Sequence, residues 1–188
     1  MSTGNHRWQQ FMQSLKAKDR VLEVEPDLGG RLREVLACSE FVAAAAIKNP
    51  GLICELVDSG DLQRPYEKGE YFDRVARAGG HAAEEGALTA ALRLLRRREM
   101  VRVAIRDIGA LGGLDDIMRE LSAMADAVMH YALVRLQEWM LPLYGRAIDR
   151  QGRHVQLVVI ALGKLGGQEL NFSSDMDIIV AYADAGDS

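Results

Sequence analysis

The sequence predicts an α+β protein in which a helical array precedes the first strands of a β-sheet. Three observations carry this prediction. Residues 8–144 show apolar residues at helical spacing and few runs of β-branched residues. Turn signals such as Gly29-Gly30 and Asn49-Pro50-Gly51 divide that region into separate helices. After Gly145 the pattern changes to two continuous apolar runs rich in branched residues, which is typical of strands.

Two helices can be placed with their ends. Ser39 is a plausible N-cap for a short, nearly all-buried helix that ends at Lys48, because Asn49-Pro50 cannot continue it. The segment from Leu114 to Met140 predicts one long amphipathic helix ending before Pro142. Its apolar face holds Ile117, Leu121, Met124, Val128, Tyr131, Ala132 and Trp139.

The two apolar runs, Val155–Leu162 and Asp175–Tyr182, predict buried strands. The link over 163–174 is short for a parallel crossover, so an antiparallel pair is favoured. Two strands alone are marginally stable, so we expect them to belong to a sheet whose other strands are missing or come from elsewhere, and the chain to be a fragment. We therefore expect a helical region over 1–145 and the incomplete start of a second, catalytic domain over 146–188.

The composition is that of a soluble globular protein. The 188 residues are 48% hydrophobic and 27% charged, which suits one ordinary domain or two small ones. No apolar run approaches the roughly 20 residues that span a bilayer, and the N-terminus lacks the apolar core of a secretory signal. The sequence predicts a cytoplasmic protein without a membrane partner.

The charge pattern argues against a general nucleic-acid surface. The net charge is −4 and no long basic tract occurs, whereas phosphate backbones are bound by clustered Lys and Arg. The local exception is the group Arg93, Arg96, Arg97 and Arg98. We expect no nucleic-acid partner.

The arginines at positions 98, 102 and 106 form a stripe at four-residue spacing on one helix. Glu99 and Asp107 are available as ion-pair partners. One interpretation is a solvated, salt-bridged helix face, and the other is a stripe facing an anionic nucleotide or the catalytic sheet. Periodicity alone leaves both open.

Cysteine and histidine show no metal or nucleophile pattern. Cys38 and Cys54 lie in apolar, helix-like stretches without a second Cys or His at ligand spacing, which predicts reduced core thiols. The four histidines lack metal-like spacing and do not adjoin a nucleophile motif. They are expected at helix surfaces or core edges.

Asp175 and Asp177 are the candidate metal ligands. Side chains alternate along a strand, so both carboxylates point the same way at about 6–7 Å, while Met176 and Ile178 point to the other side. A lone Asp-x-Asp is weak evidence. Here it lies in an apolar run, where an unpaired carboxylate is costly, and follows a Gly-Gly turn that could fold over a phosphate.

Two competing motifs are absent. A Walker A loop would need a glycine where Val158 stands and Ser or Thr where Leu165 stands. A calcium-binding EF-hand loop would need an oxygen ligand at Ile179 and glycine at Val180. Lys164 in the glycine turn either contacts a phosphate or is simply solvated.

The run from Gly163 to Ile179, Gly-Lys-Leu-Gly-Gly-Gln-Glu-Leu-Asn-Phe-Ser-Ser-Asp-Met-Asp-Ile-Ile, closely resembles the bifunctional glutamine synthetase adenylyltransferase/adenylyl-removing enzyme family. That family is part of the DNA polymerase β-like nucleotidyltransferase superfamily. The resemblance spans most of the chain, since it continues upstream over 36–43, 94–108 and 119–127.

The resemblance implies an activity and partners. The Asn-x-Ser-Ser-Asp-x-Asp form near the N-terminus is similar to the first, adenylyl-removing domain of that family. It implies phosphorolysis of the adenylyl-tyrosine bond on adenylylated glutamine synthetase, with phosphate as acceptor and ADP as product, in the regulation of nitrogen assimilation. Glutamine and a PII-type signal protein are the implied regulators, and Mg²⁺ the implied cofactor.

The residues agree with such chemistry. Asp175 and Asp177 would hold Mg²⁺, which neutralises charge on a transferred phosphoryl group. Gly166 and Gly167 would let backbone N–H groups approach the nucleotide phosphate, and Ser173 or Ser174 could donate a hydroxyl beside it. The alternative for Ser174 is a hydrogen bond at the start of the strand without a catalytic part.

Superfamily sites normally use a third carboxylate on a later strand. Asp184 and Asp187 come too soon, in an Ala/Gly-rich tail, to be convincing candidates. The catalytic set is therefore expected to be incomplete and the chain itself inactive. Two rival hypotheses stay open: transfer of AMP from ATP to a protein tyrosine, and a helical docking module whose Asp pair binds no metal.

Overall fold

The structure, a computed structural model, describes residues 3–182 and shows in that range seven helices, then a strand, a short eighth helix and a second strand. The helices are α1 (Thr3–Ala17), α2 (Pro26–Cys38), α3 (Glu40–Lys48), α4 (Pro50–Asp58), α5 (Glu70–Gly79), α6 (Glu85–Ile108), α7 (Leu114–Tyr144) and α8 (Gly163–Gly166). The strands are β1 (Leu157–Ala161) and β2 (Ile178–Tyr182). This order confirms the predicted α+β class, with a helical array before the strands.

The chain divides into two compact units. Unit 1 comprises Met1–Glu67 and Leu94–Glu120, and unit 2 comprises Lys68–Arg93 and Leu121–Ser188. Helices α6 and α7 each contribute residues to both units. The boundary predicted at residue 145 follows the change from helices to strands, and as a domain limit it stays a prediction.

Helix α3 in unit 1 begins and ends where the sequence indicates. The Ser39 hydroxyl accepts a hydrogen bond from the N–H of Val42 at 3.2 Å, so Ser39 is the N-cap. Pro50 ends α3 and is the first residue of α4, a position where its missing N–H costs nothing. The expectation of a nearly all-buried helix is wrong, because Phe41 and Ala44 are exposed and only one face packs into the core.

A cluster of buried charges lies in unit 1, and we call it the arginine cluster: Asp61, Glu99, Arg102, Arg106 and Glu120, with the partly buried Arg98 and Tyr66. Arg102 is fully buried, and its Nη1 donates to Oε2 of Glu120 at 2.8 Å. The Arg102 guanidinium also lies over the Tyr66 ring, 3.5 Å from its centroid. Burial is the main cause of the raised pKa of Tyr66.

The arginines of this cluster also fix the segment between α4 and α5. Arg102 donates from Nε to the carbonyl of Asp61 and from Nη2 to that of Arg64, each at 2.8 Å. Arg106 donates to the carbonyl of Leu62 at 2.8 Å. These bonds satisfy carbonyls that regular secondary structure would otherwise pair.

The first interpretation of the arginine stripe is confirmed in its salt bridges, which join Arg98 to Glu99 and Arg102 to Glu120, and is wrong in its solvation. Arg102 and Arg106 do not form a solvated face, because the exposed fraction of each is 1% or less. Both guanidinium groups are paired inside unit 1 with acidic side chains and carbonyls. The second interpretation, a stripe facing a nucleotide or the catalytic sheet, stays a prediction. A guanidinium can be buried in this way when acceptors surround its donors, and Arg102 donates four hydrogen bonds to such acceptors.

The prediction of two core thiols holds for one cysteine. Cys54 is buried, and desolvation raises the pKa of its thiol. Cys38 is exposed at the end of α2, so its prediction as a core thiol is wrong. Both cysteines are free, as expected.

Helix α7 is longer than predicted. It runs to Tyr144 and includes Pro142, which the sequence placed beyond its end. A proline in the last turn removes a single hydrogen bond, so it does not stop the helix there. Gly145 terminates it instead, with φ of 72° and an N–H that donates to the carbonyl of Leu141 at 2.9 Å.

The strands β1 and β2 pair antiparallel, as predicted, from Leu157 opposite Tyr182 to Ala161 opposite Ile178. Both are shorter than the apolar runs that contain them, and the prediction that they are buried is wrong. Val158 and Val180 are each about half exposed. A two-stranded ribbon with branched residues on both faces cannot cover itself, since each face needs a packed layer.

A turn organised by Asp149 leads into β1. Its carboxylate accepts hydrogen bonds from the N–H groups of Arg153 and Gln151, each at 2.8 Å, and from Arg153 Nε at 2.6 Å. The backbone N–H of Arg153 is the main reason that the pKa of Asp149 lies below its ordinary value.

Among the residues that the structure describes, no helix is long and apolar enough to cross a membrane.

The arginine cluster predicts a large difference between two arginine substitutions. Arg102→Met should lower the free energy of unfolding by about 3–5 kcal/mol, because the buried Glu120 loses its closest cation. Arg119→Met removes an exposed pair with Asp116 and should cost at most about 1 kcal/mol. Urea denaturation followed by circular dichroism measures both, and equal losses would contradict this account of the cluster.

Candidate functional site

Asp175 and Asp177 lie directly before β2, which begins at Ile178. The prediction that both belong to a buried strand is wrong, because both are exposed and precede the strand. The backbone carbonyl of Asp177 still accepts the N–H of Leu162 at 2.9 Å, which extends the pairing with β1 by one step. Because both carboxylates are exposed, a desolvation cost no longer supports their role.

Asp177 lies close to the start of α8. Its Oδ2 is 3.7 Å from the point where a Cβ on Gly163 would stand. Gly163 has φ of 54°, a left-handed conformation that glycine adopts without strain. The carboxylate of Asp177 thus lies beside the glycine turn that precedes it in the sequence.

The glycines of α8 have clear structural roles. A Cβ on Gly166 would lie 2.6 Å from the carbonyl oxygen of Ala161, so only glycine lets α8 approach β1 this closely. The N–H of Gly166 donates to Leu162 O at 3.1 Å, and that of Gly167 donates to Gly163 O at 3.0 Å. Both N–H groups therefore have acceptors within the turn, and their predicted contact with phosphate stays a prediction.

Ser173 and Ser174 belong to a turn organised by Asn171. The Asn171 Oδ1 accepts from the Ser174 hydroxyl at 2.7 Å and from the N–H of Ser173 at 3.2 Å. In return the N–H of Asn171 donates to the Ser174 hydroxyl at 3.2 Å. The sequence allows a hydrogen bond at the start of the strand as the non-catalytic alternative for Ser174. The hydrogen bonds with Asn171 are of this kind, although they lie just before the strand.

Asn171 is a site residue that the sequence reasoning missed. Its signal is the spacing Asn-x-Ser-Ser, because an Asn side chain readily accepts from the backbone two residues later. Lys164 is exposed on α8, and its carbonyl accepts the N–H of Glu169 at 2.7 Å. The contact of the Lys164 side chain with phosphate stays a prediction.

The segment over 163–174, which we call the site segment, is anchored on α7. Leu165 and Leu170 bury their side chains. The N–H of Leu170 donates to the hydroxyl of Ser122 at 3.1 Å, and Gln168 Nε2 donates to Asp126 Oδ2 at 3.0 Å. No local sequence pattern predicts these contacts, because each joins residues more than 40 positions apart.

The donor chemistry of the Asp pair fits Mg²⁺. This ion is commonly held by one or two carboxylates while water and substrate phosphates fill its other positions. Between residues 3 and 182, no group of three or more His, Cys, Asp or Glu side chains could hold a metal by itself. Asp184 and Asp187 lie outside the described residues.

A helical array, a glycine turn and an Asp-x-Asp pair before a strand of an antiparallel pair resemble the start of a nucleotidyltransferase-type sheet. A sequence model of one such family, glutamate-ammonia ligase adenylyltransferase, matches residues 29–188. The chain belongs to this family. The match includes the site segment and the Asp pair.

Curated relatives give the same result. The chain is 43% identical over 157 residues, 84% of its length, to the bifunctional glutamine synthetase adenylyltransferase/adenylyl-removing enzyme of Thioalkalivibrio sulfidiphilus. It is 39% identical over 82% of its length to that of Nitrosococcus oceani, and 35% over 83% to that of Pseudomonas aeruginosa. The matches cover 16% of the length of each of these relatives.

Two glycine substitutions test the packing of α8 on β1. Gly166→Ala should destabilise the site segment by about 1–3 kcal/mol, because its Cβ would overlap the Ala161 carbonyl. Gly167→Ala is the matched control, since its Cβ would make only ordinary contacts of 3.6 Å or more. Hydrogen exchange of the amides over 157–182 measures local opening. Equal exchange in both variants would refute the close approach.

Proposed function

We propose that the site segment and the Asp pair form part of a Mg²⁺-dependent site that removes AMP from adenylyl-tyrosine of glutamine synthetase. The observation that carries this proposal is the family match across the glycine turn and the Asp pair. The names of the relatives include both adenylyl transfer and adenylyl removal. The Asn-x-Ser-Ser-Asp-x-Asp form favours removal, through its resemblance to the first catalytic domain of the family.

The reaction is a phosphorolysis. An oxygen of inorganic phosphate attacks the phosphorus of the AMP group, and the bond from that phosphorus to the tyrosine oxygen breaks. The products are ADP and the tyrosine, whose oxygen takes up a proton. The site must therefore hold two phosphate groups in line and tolerate their negative charge.

Asp175 and Asp177 are the residues that would hold Mg²⁺. When bound, the ion supplies charge neutralisation on the phosphoryl oxygens. The exposure of both carboxylates leaves them accessible to a metal and to a phosphate-bearing substrate. The glycine at 163 leaves space beside Asp177, and Lys164 on the same turn could add positive charge.

The partners follow from the family and not from the described residues. Adenylylated glutamine synthetase is the proposed protein substrate, phosphate is the proposed small co-substrate and ADP the product. The proposed compartment is the cytoplasm. Glutamine and a PII-type signal protein are the proposed effectors. Because the chain matches 16% of the length of its relatives, the complete activity is proposed for the polypeptide in which this segment is continued.

A second candidate is transfer of AMP from ATP to a protein tyrosine. The description of the matched family favours it, since that description names an adenylyltransferase. Both reactions would use the Asp pair in the same way. They differ in whether phosphate or a tyrosine hydroxyl attacks the nucleotide.

The test is phosphate-dependent release of ADP from adenylylated glutamine synthetase with Mg²⁺. It compares the chain, a C-terminally extended version of the length of its relatives, and the extended version with Asp175→Asn and Asp177→Asn. We expect release by the unsubstituted extended version and a loss of at least about a hundredfold in the double variant, because metal charge stabilisation contributes several kcal/mol. Asp115→Asn, at an exposed position of α7, is the control.

Three outcomes separate the hypotheses. ADP release that depends on the Asp pair supports adenylyl removal. Absence of release by a folded extended version, together with AMP transfer from ATP that needs the same Asp pair, would replace removal by transfer. Neither activity, with no metal binding by the Asp pair, would leave a docking module.

A further inference from the structure

We propose that Ser122 is a positioning residue that holds the Asp175–Asp177 pair in its metal-binding arrangement. This inference rests on the proposed function of the Asp pair. Ser122 does not touch the pair itself. It acts through the backbone of the site segment, which it joins to α7.

Ser122 lies within α7 and is fully buried. Serine is a weak helix former because its hydroxyl competes for backbone hydrogen bonds, so a buried serine inside a long helix needs a use for that hydroxyl. Here the hydroxyl accepts the N–H of Leu170 at 3.1 Å. The N–H of Leu170 is buried at this contact, so removing the acceptor would leave a donor without a partner.

A second contact lies one helical turn further along α7. Asp126 is four residues after Ser122, so the two side chains lie on one face of the helix. Asp126 accepts from Gln168 Nε2 at 3.0 Å. Gln168 has φ of 59°, a conformation that costs energy for a residue with a side chain and that its surroundings must maintain.

The buried leucine side chains hold the site segment in unit 2, whereas the hydrogen bonds fix the position of its backbone. Leu165 and Leu170 pack into unit 2 but could slide or rotate against an apolar surface, because hydrophobic contact has no preferred direction. A hydrogen bond between Ser122 and the Leu170 N–H is directional and fixes the backbone at one point.

Four residues, 171–174, separate Leu170 from the metal pair. After Leu170, the Asn171 turn is closed by hydrogen bonds between Asn171 and Ser174 in both directions. Asp175 follows this turn directly, and the carbonyl of Asp177 is fixed by the N–H of Leu162. The path from Ser122 to the carboxylates therefore consists of one hydrogen bond, one closed turn and one strand pairing.

The test measures metal affinity in the C-terminally extended protein by titration with Mn²⁺, using the electron paramagnetic resonance signal of the free ion. Ser122→Ala should weaken Mn²⁺ binding about tenfold. Without the hydroxyl, the buried N–H of Leu170 has no acceptor, and the site segment shifts to relieve that cost, which moves the Asp pair out of its metal-binding arrangement. Ser122→Cys keeps a side chain of similar size with a weak acceptor and should give a smaller loss in the same direction.

Ser14→Ala is the matched control. The Ser14 hydroxyl bonds to the carbonyl of Ile47 at 2.6 Å in unit 1, so this change also removes one serine hydrogen bond to the backbone. It should lower the unfolding temperature without changing Mn²⁺ affinity. If Ser122→Ala and Ser122→Cys lower only the unfolding temperature, as Ser14→Ala does, Ser122 is a stabilising residue and the inference is overturned.

The double variant Asp175→Asn with Asp177→Asn separates this inference from the proposed function. Loss of Mn²⁺ binding in that variant, together with unchanged binding in Ser122→Ala, would reject the role of Ser122 alone. Unchanged binding in the Asp variant would reject the metal site, and the positioning role with it. Weaker binding in both supports both.

Discussion

The organisation of unit 1 depends on the compensation of buried positive charge. Taking a guanidinium out of water costs several kcal/mol, and this cost is offset only when its donors find acceptors. Arg102 meets this condition by contacting Glu120, the Tyr66 ring and the carbonyls of Asp61 and Arg64. These partners come from α7 and from the chain between α4 and α5, so the same contacts that neutralise the charge also bring distant segments together.

The elements that could be predicted from sequence are those whose causes are local. The Ser39 cap, the proline after Asn49 and the short link between two apolar runs each act within a few residues, and each prediction is confirmed. The arginine stripe shows the limit of such reasoning. Spacing places three arginines on one helix face, but only tertiary contacts decide whether that face meets water, a ligand or carboxylates up to 43 residues away. The prediction of buried strands is wrong for a similar reason. Branched residues indicate that a strand can be buried, but they do not indicate which element covers it.

The residues of the candidate site also fall into those that the sequence predicts and those that only the structure shows. The Asp pair and the glycine turn follow from spacing and family resemblance, and the structure brings Asp177 beside Gly163. The residues that hold the site segment, Ser122 and Asp126, were not predictable, because a serine and an aspartate in a helix have no local feature that indicates a contact beyond 40 residues. Asn171 differs from both groups, because the turn that it organises follows from local side-chain chemistry and is predictable in principle from the sequence.

The half-exposed ribbon of β1 and β2 has a consequence for how this polypeptide behaves in the test tube and in the cell. Its branched side chains at Val158, Ile160 and Val180 face solvent, and within the described residues each strand has one unpaired edge. Exposed edges with high β-propensity are templates for intermolecular pairing and cross-β aggregation. We therefore expect this ribbon, where no further layer covers it, to limit colloidal stability and recovery after expression more than the larger helical core does.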